Sequence, residues 1–190
     1  MRIGLIRHGS TAWNKAGRAQ GHSDIPLDDQ GHADALALGE KLREDKWSCV
    51  YSSDLTRAHE TAQKIIDGGL TGELITDRRL REVGGGLIEG TTEEERIAKW
   101  GEEWRQLELG IEKRETALER ALDFLEEVTN KHKNKSILIV SHGSILKHLI
   151  GELLGERIER SLENTSLTIL ELNDGAWQKK VINDMSHLHN

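Results

Sequence analysis

Ile3-Gly4-Leu5-Ile6-Arg7-His8-Gly9-Ser10 and Ser136-Ile137-Leu138-Ile139-Val140-Ser141-His142-Gly143-Ser144 are two versions of one phrase, an apolar run that ends in His-Gly-Ser. Each run is short and lacks polar alternation, as a strand buried on both faces does, so Ile3 to Ile6 and Ser136 to Val140 read as strands. Such strands belong to sheets covered by helices, and ligands of open α/β sheets bind beyond the carboxyl ends of the strands. Both histidines fall at that edge.

The sequence around these two runs alternates in the same sense. A helical pattern from Asp28 to Arg43 precedes a strand at Cys49 to Ser52. Ser53 or Asp54 is then the expected cap of a helix through Ile66, stopped by Gly68 and Gly69. Leu74 to Thr76 reads as a short strand and the glycine-rich Leu80 to Gly90 as a site loop. Thr92 to Lys131 reads as two amphipathic helices broken near Gly110 and bordering the active site, with Glu93-Glu94-Glu95-Arg96 as a capped, solvated start. Ile145 to Leu154 reads as an apolar helix. Leu167 to Leu172 and Trp177 to Ile182, joined at Asp174-Gly175, form a terminal hairpin. The expected fold is α/β: a single domain over 1–190, a three-layer α/β/α sandwich with a mainly parallel central sheet and antiparallel last strands.

Composition agrees. The 190 residues are 36% hydrophobic and 31% charged with 1 proline, which suits one globular domain and argues against extensive disorder. A net charge of -7 excludes nucleic acid or an anionic membrane as the main partner, while leaving room for a small anion in a locally basic pocket. The apolar start, Ile3 to Ile6, is too short for a signal peptide or a spanning helix, and Cys49 is the single cysteine, so a cytoplasmic setting is expected. Cys49 itself reads as a small buried residue.

Phosphoryl transfer without metal requires a nucleophile, cationic donors for the phosphoryl oxygens and an acid for the leaving group. His8 lies between Arg7, whose guanidinium can fork onto phosphate oxygens, and Gly9, which lets backbone approach closely. Arg57 falls in the first turn of a helix, where the dipole also favours an anion. His142 ends a strand and can supply a further donor.

The ordered set Arg7-His8-Gly9-Ser10-Thr11 with Trp13-Asn14, Gln20-Gly21, Ser52-Ser53-Asp54-Leu55 with Arg57-Ala58 and Thr61-Ala62, Leu80-Arg81-Glu82, and Ser141-His142-Gly143 resembles the histidine phosphatase superfamily, which includes the cofactor-dependent phosphoglycerate mutases. The resemblance covers nearly the whole chain and implies a phosphoglycerate mutase-like fold. It implies His8 as the phosphorylated nucleophile, Arg7, Arg57 and His142 as the clamp on the phosphoryl oxygens, and Glu82 as the proton donor. Asn14, Gln20, Gly21 and Gly143 match positions that bind substrate or line the site. Relatives usually follow the acid with a bulkier stretch, whereas this chain has Gly84-Gly85-Gly86, a composition that favours loop mobility.

Three functions fit these residues: a metal-independent phosphatase acting on small phosphomonoesters, a cofactor-dependent phosphoglycerate mutase, and a non-catalytic phospho-ligand binding protein. Mutase relatives are typically longer in the middle region, which favours hydrolysis, and a binding module needs neither nucleophile nor acid. No cofactor is expected. No metal is expected either, because His187-Leu188-His189 and the other histidines lack zinc-site spacing. His22, His32, His59, His132 and His148 read as surface or packing residues. Trp100 and Trp104, one turn apart, read either as a wall over the site or as ordinary packing, and the apolar positions around Trp100 leave a homodimer contact open.

Overall fold

The computed structural model describes residues 1–188. Strands β1 (Arg2–Arg7), β2 (Cys49–Ser52), β3 (Glu73–Thr76), β4 (Ser136–Ser141), β5 (Leu167–Asn173) and β6 (Ala176–Asp184) form one six-stranded sheet in the order β3-β2-β4-β1-β5-β6. β1, β2, β3 and β4 run parallel, and β5 and β6 add an antiparallel hairpin at the β1 edge. The helices are α1 (Ala12–Lys15), α2 (Asp29–Leu42), α3 (Thr56–Asp67), α4 (Glu93–Trp100), α5 (Arg114–Lys131) and α6 (Gly143–Leu154).

Side-chain alternation along the central strands makes the two cores. Ile3 and Leu5 of β1, Cys49 and Tyr51 of β2, and Ile137 and Ile139 of β4 face α5 and α6. Ile6, Val50, Leu138 and Val140 face the opposite way, onto α2 and α3. Helix α5 turns Ala117, Ala121, Phe124, Leu125 and Val128 inward, a spacing that puts all five on one stripe. Complete burial of Phe124 is worth about 1.5–3 kcal/mol. Helices α2 and α3 touch so closely that a Cβ on Gly39 would lie 2.3 Å from the Ile65 carbonyl oxygen.

Three local readings are corrected. Neither Ser53 nor Asp54 caps α3; the carboxylate of Asp24 reaches across from another loop and accepts from the Thr56 amide at 2.7 Å and the Thr56 hydroxyl at 2.9 Å. Asp54 is engaged by Arg81 instead. The segment after Thr92 breaks at Gly101, whose φ of 84° ends α4, and stays irregular apart from a 3-10 turn at Trp104–Gln106 until α5 begins. Helix α1, absent from the sequence reading, is a single turn whose Thr11 and Asn14 satisfy each other in a capping box. Among the described residues no helix is long and apolar enough to cross a membrane.

Candidate active site

Parallel pairing of β1 with β4 sets Ile6 beside Val140 and Arg7 beside Ser141, so the two His-Gly-Ser sequences leave the sheet side by side. The His8 and His142 rings lie 5.1 Å apart. The His8 backbone amide donates to the Ser141 carbonyl at 2.9 Å. The ring is fixed by a 2.7 Å bond from Nδ1 to the Gly9 carbonyl; a carbonyl can only accept, so Nδ1 carries the proton and Nε2 has its lone pair exposed. Burial, with Arg57 and Arg7 adding to it, holds the His8 pKa well below its ordinary 6.5, so the imidazole is neutral at physiological pH.

A cavity of about 380 Å³ opens on His8. Of the residues singled out in the sequence, Arg7, His8, Asn14, Gln20, Gly21, Arg57 and Glu82 line it. His142 does not: it is fully buried behind His8 and neither ring nitrogen has a hydrogen-bond partner among the described residues. Burial, followed by Arg57 and His8, holds its pKa well below the usual histidine value too. Gly143 lies under Arg7, where a Cβ would stand 3.2 Å from the guanidinium Nε, and it borders a smaller adjoining space of about 170 Å³.

Both arginines are held by carbonyls rather than by carboxylates. Arg57, the first residue after the Thr56 amide, donates from Nη1 to Ser23 and from Nη2 to Gly21, each at 2.8 Å. Arg7 donates from Nη1 to Leu162 at 2.5 Å. The buried Nε of each has no partner among the described residues. Burial pulls Arg57 down to about 10, partly offset by Glu82, and lowers Arg7 as well. Two desolvated cations with unspent donors beside a neutral imidazole make a cavity suited to a compact anion.

Glu82 anchors at the opposite wall. Its Oε1 accepts from the Val83 amide at 2.8 Å and the Ile145 amide at 3.0 Å, and its Oε2 accepts from Ser144 at 3.0 Å, the latter two at the first turn of α6. The glycine-rich loop after it is bonded to neighbouring side chains: Glu89 accepts from the Gly85 and His22 amides, and Glu112 accepts from Gly84. Gly21 has φ of 50°, and a Cβ there would meet Glu89 Oε1 at 2.1 Å, which explains the glycine.

Several contributors had no signal in the sequence reading. Asn164 donates to the carbonyl of His8 at 2.8 Å and of Gly9 at 3.2 Å, bracing the backbone that fixes the imidazole. Val83, Ile88 and Ile111 supply apolar lining, and Arg18 and His148 reach the same cavity. The surface-or-packing assignment of His148 is corrected accordingly; His22 is an exposed residue, as expected, whose Nε2 also donates to the Glu82 carbonyl at 2.8 Å. Trp100 and Trp104 form no wall over the cavity: the Trp104 ring lies between Arg96 and Arg105 and donates to Glu93. His187 is buried against Thr165, and His189 lies outside the described residues.

The sequence profile of the histidine phosphatase superfamily (branch 1) matches residues 3–185. Phosphoglycerate mutase-like protein 4 of Arabidopsis thaliana is 35% identical over 199 residues, covering 98% of this chain and 86% of that protein. The metal-independent phosphoserine phosphatase of the same plant is 33% identical over 196 residues, covering 98% and 82%. The solved structure of Bacillus stearothermophilus YhfR superposes with a TM-score of 0.87 at 31% identity over 98% of each chain. Profile, relatives and architecture agree: this chain belongs to the histidine phosphatase superfamily and is a phosphoric monoester hydrolase by class.

Proposed function

We propose that the chain hydrolyses small phosphomonoesters without a metal ion, through a phosphohistidine on His8. The observation that carries this reading is the tautomer of His8, whose bare Nε2 faces a cavity shared with Arg7, Arg57 and Glu82. The Nε2 lone pair attacks phosphorus while the bond from phosphorus to the ester oxygen breaks. Glu82, acting as general acid, transfers a proton to that oxygen, and the alcohol leaves. Water then attacks the phosphohistidine and passes a proton to the Glu82 carboxylate; the N–P bond breaks, inorganic phosphate departs and the imidazole recovers its lone pair. Arg7 and Arg57 compensate the charge on the transferring oxygens throughout. His142, neutral and packed 5.1 Å behind His8, backs the nucleophile.

A cavity of about 380 Å³ suits a small substrate, in keeping with a phosphoserine phosphatase among the relatives. The test is turnover of p-nitrophenyl phosphate in EDTA by the native chain and by His8→Ala, with acid-labile phosphate traced on the protein. Turnover that persists in EDTA, disappears in the variant and leaves trapped phosphohistidine supports the reading. Turnover indifferent to His8 overturns it, and isomerisation of 3-phosphoglycerate faster than its hydrolysis would shift the assignment to a mutase.

A further inference from the structure

The backbone leading to Glu82 is neither helix nor strand at Arg81 and Glu82, yet its carbonyls are all captured by side chains. The Ser141 hydroxyl donates to Leu80 at 2.6 Å. Arg120, on α5, takes the others: Nη1 donates to the Arg79 and Arg81 carbonyls, each at 2.7 Å, and Nη2 to the Glu82 carbonyl at 2.9 Å. Its Nε and Nη2 also meet the Glu112 carboxylate, both at 2.9 Å. All five N–H donors of one guanidinium are thereby used. Glu112 extends the tie by accepting from the Gly84 amide at 2.8 Å, and its own amide donates to the Gly84 carbonyl at 2.8 Å. His22 adds a second donor to the Glu82 carbonyl.

Arg120 starts from a rigid base, since the neighbouring Ala121 and Ala117 on α5 are fully buried in the core. Water would solvate these carbonyls as well as a side chain does, so mere satisfaction of the loop does not call for a saturated guanidinium. What the fork adds is a fixed position for residues 79–82. We propose that Arg120 is a positioning residue for Glu82, assisted by His22, holding its carboxyl where the leaving oxygen is protonated. The proposal rests on the reading of Glu82 as the acid.

Loss of position at the acid matters only when the leaving group needs a proton. The experiment compares Arg120→Lys, His22→Ala and Glu82→Gln on p-nitrophenyl phosphate, whose phenolate leaves unaided, and on glycerol 2-phosphate, whose alkoxide does not. Arg120→Lys keeps a charge for Glu112 but cannot span three carbonyls. Its kcat on the glycerol ester should fall roughly 10- to 100-fold further than on the nitrophenyl ester, with KM nearly unchanged, and His22→Ala should move the same ratio less. An equal fall on both esters, or none, in Arg120→Lys beside a steep difference in Glu82→Gln overturns the positioning role alone. Equal falls in Glu82→Gln remove the acid and the proposal with it. Should Arg120→Lys fail to fold, the half-exposed His22→Ala decides: a ratio equal to wild type refutes the proposal.

Discussion

Acid should weaken this fold through its two buried imidazoles before its carboxylates titrate. His8 and His142 are almost wholly buried, and both are held well below 6.5 by desolvation, with neighbouring Arg57 adding to it. In the unfolded chain each binds a proton near pH 6.5; in the native chain each stays neutral. Below 6.5 the unfolded state therefore binds more protons, and stability falls with falling pH. Between about pH 6.5 and 5.5 each such histidine removes about 1 kcal/mol, so the pair removes about 2 kcal/mol. The carboxylates of Asp54 and Glu112, held low by Arg81 and Arg120, lose their contribution only at lower pH. Urea unfolding in phosphate-free buffer at three pH values measures the slope, and the His8→Gln, His142→Gln double variant isolates the share of this pair. His132 and His148, lowered by burial in the same direction, account for what remains. An unchanged slope in the double variant, or a flat profile in the native chain, refutes the reasoning.

Two further substitutions test the scaffold. Gly39→Ala should gain about 1 kcal/mol from helix propensity; the Cβ placed 2.3 Å from the Ile65 carbonyl oxygen forces α2 off α3 at about 1–3 kcal/mol, so urea unfolding should show a net loss. A more stable variant would mean that the two helices separate more easily than their packing suggests. Asp24→Ala removes the cap that reaches Thr56, and about 1 kcal/mol of stability should go with it. Because the same loop presents the Gly21 and Ser23 carbonyls to Arg57, KM should rise as well; a variant with native KM would separate the cap from the site.

The elements that bury apolar periodicity were legible in the sequence, and so was the placement of the two His-Gly-Ser sequences at one sheet edge, though not the direct pairing of their strands. Arg7, His8, Arg57 and Glu82 were named from their order along the chain, and the fold brings them to one cavity. What was not legible is how they are held. Asp24 caps a helix 32 residues away, Arg120 grips carbonyls about 40 residues upstream, and Asn164 braces His8 from 156 residues off. A side chain donating to a distant backbone carbonyl leaves no local pattern, because every residue offers the same carbonyl. The break after α4 was misplaced for a related reason: Gly101 and Gly110 both adopt positive φ, and only tertiary structure decides which one ends the helix.

The place of β1 in the sheet has a consequence for synthesis. Among the six strands it is made before the others, yet its partners are β4 and β5, which begin at Ser136 and Leu167. A nascent chain must leave the ribosome with its most apolar early segment unpaired until most of the remaining sequence has followed. Strand-by-strand folding in chain order is therefore closed to this topology, and intermediates lacking β4 to β6 have an open sheet with an exposed edge. The corner where residues 7 and 8 meet residues 142 and 164 assembles only after Asn164 has been made.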